Sequence, residues 1–333
     1  MISTWQFNQL HLIFDGALLL VRGLKMAKIL ISSLLPIVIT LLVGYFAGFK
    51  RDFAEPDAAL LNKVIMKYTL PLSLFGGIIS TKRTEILQNV SVTFWIFSGM
   101  VGGYLVFFLS AHYLFKTNLR LAALRALTIS GPAIPFVGPV ILGALFPKER
   151  SLLIGIGSLI LSTIQLPISV MILSTATKTQ RNSFFKNVIS IFKPAIVWAS
   201  LLAFILSING VYLPIEWQNC FTVLGSATGG LALFASGIIL FQRRPKFSTP
   251  VWINTAIKNI ILPSVIFRVM LLFNTNPHIT NMALVSLSIP TAAIATIFAS
   301  QYKIAEQEMA STLFLSTFTS VFTLAGLIVI RHI

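Results

Sequence analysis

Ten long apolar runs alternate with short polar stretches along this chain, near residues 30–49, 58–80, 91–115, 121–146, 151–174, 189–209, 217–241, 249–273, 281–302 and 309–331. Most approach or exceed the roughly 20 residues that a membrane-spanning helix requires. They are too long for strands and lack the short alternating pattern of membrane barrels. The pattern therefore predicts helices whose backbone groups satisfy one another in lipid. The fold class that follows is all-α and polytopic, with about ten transmembrane helices. Composition agrees: 56% of residues are apolar, 10% are charged and the mean hydropathy is +0.88, which excludes a water-soluble globule. Residues 1–29 fit less well, because the run from Leu12 to Val21 is short and contains Asp15. They read as an N-terminal extension or interfacial helix. Met26 is an alternative start, and an eleventh span is a third reading.

Shifting the chain by 159 residues lays the first five runs onto the last five, so that 30–49 meets 189–208 and 91–115 meets 250–274. Leu72-Ser73-Leu74-Phe75-Gly76-Gly77 then falls on Leu231-Ala232-Leu233-Phe234-Ala235-Ser236. Five helices per half is an odd number, so the second half enters the membrane from the opposite face, and inverted repeats of this kind are a transporter architecture. The expected organisation is a first repeat over 30–174, a basic cytoplasmic connection over 175–188 and a second repeat over 189–333. The formal charge of +16 would suggest nucleic acid in a soluble protein, but here it is a topology signal. Twelve basic residues, from Lys50 and Arg51 through Lys178, Arg181, Lys186 and Lys193 to Lys303, share one face. Lys82, Arg83, Lys148, Arg150 and Arg331 share the other, or eight residues with Arg22, Lys25 and Lys28. The positive-inside rule then places both termini outside an inner (plasma) membrane, with the connection meeting anionic lipids on the cytoplasmic side.

Candidate chemistry concentrates where two helices are interrupted. The fourth run contains Ser130, Gly131, Pro132, Pro135, Gly138 and Pro139, three prolines and two glycines in the middle of a span. Each proline removes a backbone donor and crowds the preceding turn. Gly131 shifted by 159 falls on Pro290, beside Thr291, so matching positions of both halves are broken. Paired broken helices point to a transporter's binding site, where freed amides and helix N-termini suit an anion. The expectation is unwound backbone from Pro132 to Pro139 and at Pro290. No carboxylate stands mid-span, whereas Lys258 lies about 13 Å into the eighth run and would attract an anionic substrate. Lys67, Arg125 and Arg268 read as snorkelling side chains, and Asn62, Gln165 and Asn259 add uncharged hydrogen-bonding groups, of which Asn62 joins the candidate site. There is no His-Glu-x-x-His, no Gly-x-Ser-x-Gly and no metal-ligand cluster, and the single Cys220 forms no internal disulfide. An enzyme is disfavoured and no cofactor is expected.

Leu34-Leu35-Pro36, Leu41-Leu42-Val43-Gly44-Tyr45, Leu61-Asn62-Lys63 and Leu70-Pro71-Leu72-Ser73-Leu74-Phe75 resemble the opening of the auxin efflux carrier family. Pro290-Thr291-Ala292-Ala293, Ala299-Ser300-Gln301-Tyr302 and Leu315-Ser316-Thr317 resemble its last two helices, and Lys258 to Pro263 is similar to its eighth. The resemblance covers nearly all of 30–330. It implies a ten-helix inverted repeat whose broken fourth and ninth helices cross near the midplane, and transport of a small organic anion, malonate-like or another carboxylate, by alternating access. An anion-selective channel or facilitator without ion coupling is the alternative. Ala133 and Pro135 stand where the family often has Asn and Gly, and Ile294 where many members have Asn. A coupling proton or sodium ion and a homodimer are compatible with the sequence without being specified by it, and no nucleic-acid partner is expected.

Overall fold

The computed structural model describes residues 35–79, 89–175, 195–211, 213–331 and 333. The expected N-terminal extension, nearly all of the basic connection and the loop bearing Lys82 and Arg83 lie outside the described residues. Among the described residues ten helical stretches follow the ten apolar runs, and no strand forms. They are α1 (Leu35–Phe49), α2 (55–79), α3 (Val90–Leu114), α4a and α4b (Leu119–Ser130 and Ile134–Leu145), α5 (150–175), α6 (Ala195–Ile208), α7a and α7b (Ile215–Gly225 and Ala227–Arg243), α8 (Thr249–Leu272), α9a and α9b (Pro277–Ser288 and Ile294–Tyr302) and α10 (Glu306–Arg331). Five of these stretches, in α3, α5, α7, α8 and α10, are long and apolar enough to cross a membrane. The protein is an integral membrane protein of the all-α class.

The helices carry local widenings with a sequence cause. Three π turns, 65–69 in α2, 161–165 in α5 and 257–261 in α8, are each followed at once by Leu-Pro: Leu70-Pro71, Leu166-Pro167 and Leu262-Pro263. A proline inside a helix has no N–H to give and its ring crowds the carbonyl four residues back, and the widened turn absorbs both defects. A further π turn at 98–102 in α3 has no proline, yet it falls on 257–261 at the 159-residue offset. The interruption of α7 at Ser226 likewise falls within the counterpart of 65–69.

Packing gathers the helices into two groups that also touch one another, α7b against α10 and α2 against α5. α2 packs against α6 and, antiparallel, against α7, while α1 closes on α7 through small residues. A Cβ on Gly44 would lie 2.1 Å from the Phe234 carbonyl oxygen, and one on Gly237 would lie 2.1 Å from that of Leu41. Only glycine permits so close a backbone approach, the small-residue contact that stands in for a hydrophobic driving force in lipid. The second group pairs α3 with α4a, α4b with α5, α8 with α10, and α9a with α3 and α8. Arg125, expected to snorkel, is instead clamped there: its Nε and Nη2 donate to Glu308 Oε1 and Oε2 at 2.7 and 3.0 Å, and Asn254 Nδ2 joins Oε1 at 2.9 Å. α4a, α8 and α10 are thereby tied together at one end.

Candidate functional site

α4a and α9a begin under side-chain caps: Asn118 Oδ1 accepts from the Leu121 amide, and Asn276 Oδ1 from that of His278. Both helices run inward and stop together. α4 is unwound over 131–133 and α9 over 289–293, and the two extended pieces form an antiparallel bridge between Pro132 and Thr291. The Ala133 amide donates to the Pro290 carbonyl at 2.8 Å, and the Ala292 amide donates to the Gly131 carbonyl at 3.0 Å. At the 159-residue offset each of these bonds is the image of the other. Gly131 has no room for a side chain, because a Cβ would lie 2.6 Å from the Leu127 carbonyl oxygen.

The break in α4 is shorter than the proline pattern suggests. Pro135 sits in the first turn of α4b, where a missing N–H costs nothing. Helix therefore resumes before the remaining prolines are reached. Gly138 and Pro139 belong to α4b; Gly138 is buried near Ile134 and Ile154, and Pro139 is exposed. The expected unwinding from Pro132 to Pro139 is thus confined to three residues.

Each break orphans carbonyls at the end of the preceding half-helix. The partner of the Thr128 carbonyl in a continuous helix would be residue 132, a proline without N–H, and the Thr291 hydroxyl donates to it instead at 2.6 Å. The Ser130 carbonyl accepts from Gln165 Nε2 at 3.2 Å, which also reaches Ser130 Oγ at 3.0 Å and the Met100 carbonyl at 2.8 Å. The Leu287 carbonyl accepts from Lys258 Nζ at 3.0 Å. Its former helical partner, the Thr291 amide, donates to Ser316 Oγ at 3.3 Å, and Ser316 Oγ donates to Asn259 Oδ1 at 2.8 Å. Gln165, Lys258 and Asn259 all stand in the π turns that precede Leu-Pro. Lys258 is fully buried and no carboxylate pairs with it among the described residues. Its ammonium serves the negative end of α9a, where a cation is electrostatically favoured.

The N-termini of α4b and α9b border a cavity of about 590 Å³ between α1, α2, α5 and α7. Pro135, Phe136 and Ile294 form its wall on the crossing side, Gly229 packs against the Phe136 ring, and Ser73 and Gly225 line it from α2 and α7. Among the described residues no charged side chain lines it. A void of about 20 Å³ at the crossing itself touches Ala133, Pro290 and Thr291, and Phe136 and Gly229 line both spaces. The amides of Ile134 and Ala293, again images at the offset, have no acceptor among the described residues.

Six of the expected residues are therefore gathered at the crossing: Ser130, Gly131, Pro132, Pro135, Pro290 and Thr291. Gly138 and Pro139 are not. Lys258 is bound to the carbonyl end of α9a and lies outside the cavity lining. Asn62 is buried on α2, outside that lining, and neither of its amide atoms has a hydrogen-bond partner among the described residues. Sequence reasoning weighed Gln165 only as one polar group among several and passed over Phe136 as a wall. The Leu-Pro pair after Gln165 is the signal that singles it out.

Residues 29–328 match the family model described as membrane transport protein. The chain is 31% identical over 283 residues to the uncharacterized transporter YfdV of Escherichia coli K12, covering 84% of this chain and 90% of that protein. It is 26% identical over 302 residues to the uncharacterized transporter MJ1031 of Methanocaldococcus jannaschii, covering 87% and 94% respectively.

Proposed function

Because the chain belongs to the membrane transport protein family, we propose that it moves a small organic monoanion across the membrane by alternating access about the crossing of α4 and α9. The observation that carries this reading is the uncharged cavity of about 590 Å³ bordered by two helix N-termini. Each N-terminus is equivalent to roughly half a positive charge, so the pair offsets about one negative charge. A malonate-like dicarboxylate would bring a second charge into a cavity whose described lining has no cationic side chain to meet it, and an unpaired buried charge is costly. A monocarboxylate with an apolar body, its charge turned toward the N-termini of α4b and α9b at Pro135 and Ile294 and its body walled by Phe136, suits the site better. The lack of a carboxylate among the described lining residues favours, as a second reading, a facilitator without a coupled proton or sodium ion.

The proposal includes a five-plus-five inverted repeat over 30–174 and 189–333, with both termini outside the inner membrane. The coincident π turns, the matching breaks and the reciprocal pair of hydrogen bonds support the repeat. Uptake into proteoliposomes of labelled mono- and dicarboxylates, under imposed proton, sodium or voltage gradients, tests the transport reading. Flux of monocarboxylates with little of dicarboxylates is the expected result. Conductance to inorganic ions with no carboxylate flux would replace the carrier by a channel. Orientation is read separately: in a Cys220→Ser background, cysteines placed in 175–188 should resist an impermeant thiol reagent in intact cells, and the reverse would invert the topology.

A further inference from the structure

A second cavity, of about 340 Å³, lies between α8, α9a and α10, away from the crossing cavity. Pro263, Phe267, Leu284 and Leu327 make apolar walls, Ser288 lies at its floor and Arg331 at its rim. Ile260 and Ile330 border it while remaining 55% and 75% exposed, so it opens on the outer, lipid-facing surface. Gly326 faces open space, since a Cβ there would meet nothing within 4 Å.

The charge at its mouth is specific. Arg331 closes α10, whose 26 residues span about 39 Å against a hydrocarbon core of about 30 Å. That length carries the guanidinium to headgroup level. It is held in place: Nε donates to Asn281 Oδ1 at 3.0 Å, and the guanidinium carbon lies 4.9 Å from the centre of the Phe267 ring. Its terminal nitrogens have no partner among the described residues. Arg268, next to Phe267, is exposed and likewise without an ion pair among the described residues. At the 159-residue offset these two positions are Leu109 and Ile172, so the cationic mouth belongs to one half only.

We propose that this groove holds one anionic phospholipid, its phosphate on the guanidinium fork of Arg331 with Arg268 beside it and one acyl chain lying along α10 from Ile330 to Thr323. A guanidinium fixed through Nε presents its other donors to two oxygens of a phosphodiester, a geometry that a mobile ammonium does not offer. A zwitterionic choline lipid would set its own cation against two others. The chain would run about 12 Å inward along eight residues of α10, ending at Ser288, the last residue of α9a, directly behind the break.

The test is native mass spectrometry of the purified full chain from micelles doped with equal amounts of dioleoyl phosphatidylglycerol and dioleoyl phosphatidylcholine. Wild type should retain the anionic lipid in an excess on the order of tenfold, as two surface guanidiniums provide. Arg268→Gln with Arg331→Gln should abolish the excess. Gly326→Leu places a side chain in the groove from a position where a Cβ meets nothing within 4 Å, and it keeps both arginines, so it should expel the lipid even if the double variant does not fold. Equal retention of the two lipids by wild type, or an excess that survives in the double variant or in Gly326→Leu, overturns the proposal. Displacement of the lipid by free glycerol phosphate would show that the mouth binds phosphate alone, and would overturn it too.

Discussion

Thr291→Val removes one hydrogen bond and almost nothing else. The hydroxyl of Thr291 donates at 2.6 Å to the carbonyl of Thr128, both residues are buried, and valine matches threonine in shape. No other donor is at hand, because the helical partner of that carbonyl would have been the nitrogen of Pro132. An unsatisfied buried acceptor costs about 1–3 kcal/mol, while interhelical hydrogen bonds in membranes average about 0.6 and reach about 1.7 kcal/mol. The expected loss is therefore about 1–2 kcal/mol, which lowers the midpoint of thermal unfolding by roughly 2–4 °C. The two backbone bonds of the bridge survive, so the crossing loosens without dissolving. Thr291→Ser keeps the oxygen and should behave as wild type. Unfolding of the detergent-purified protein, followed by tryptophan fluorescence and size exclusion, separates the three forms. If valine is indistinguishable from wild type, or serine is as damaging as valine, the hydroxyl is not what completes α4a.

Lys258→Met gives up a charged hydrogen bond worth about 1.5–3 kcal/mol and a helix-end interaction of about 0.3–1 kcal/mol, but also sheds about 2.5–3.5 kcal/mol of ammonium burial. Stability should stay close to wild type and monocarboxylate affinity should be nearly unchanged, whereas a tenfold loss of affinity would put the ammonium on the substrate. Gly44→Ala forces a methyl group onto the Phe234 carbonyl and should abolish the monodisperse size-exclusion peak. Gly102→Ala, which meets nothing within 4 Å, should leave that peak intact. Glu308→Gln strips the partly buried Arg125 of its partner and should cost about 1–3 kcal/mol in thermal unfolding, a value set below the 3–5 kcal/mol of fully buried pairs because both side chains keep some exposure. Adding Arg125→Met should recover most of the loss, and a purely additive double variant would deny the coupling.

The helices and both breaks were legible because lipid leaves the sequence little latitude: apolar runs have a required length, and Ser130-Gly131-Pro132 and Pro290 contradict the helix around them. The extent of the α4 break was not legible, since a proline at the start of a helix and one inside it carry the same letter, and Pro135 turned out to be the former. The direction of Lys258 was hidden for a different reason. Depth along a helix follows from counting residues, but rotation about its axis does not, and the π turn at 257–261 shifts the register at the lysine itself. The pairing of Arg125 with Glu308 joins residues 183 positions apart, and no local pattern marks it.

The bond from Ala133 to Pro290 becomes the bond from Ala292 to Gly131 when the halves are exchanged, and this gives the crossing a fixed tooth spacing, as in a zip. Loops between helices tolerate added residues, but these two stretches do not, because one extra residue in either would slide its teeth past the other's. A length change in one must be matched in its partner 159 positions away or the pairing is lost. The two stretches thus behave mechanically as a single unit: one residue inserted in either should break both backbone bonds together, although the two lie 159 positions apart.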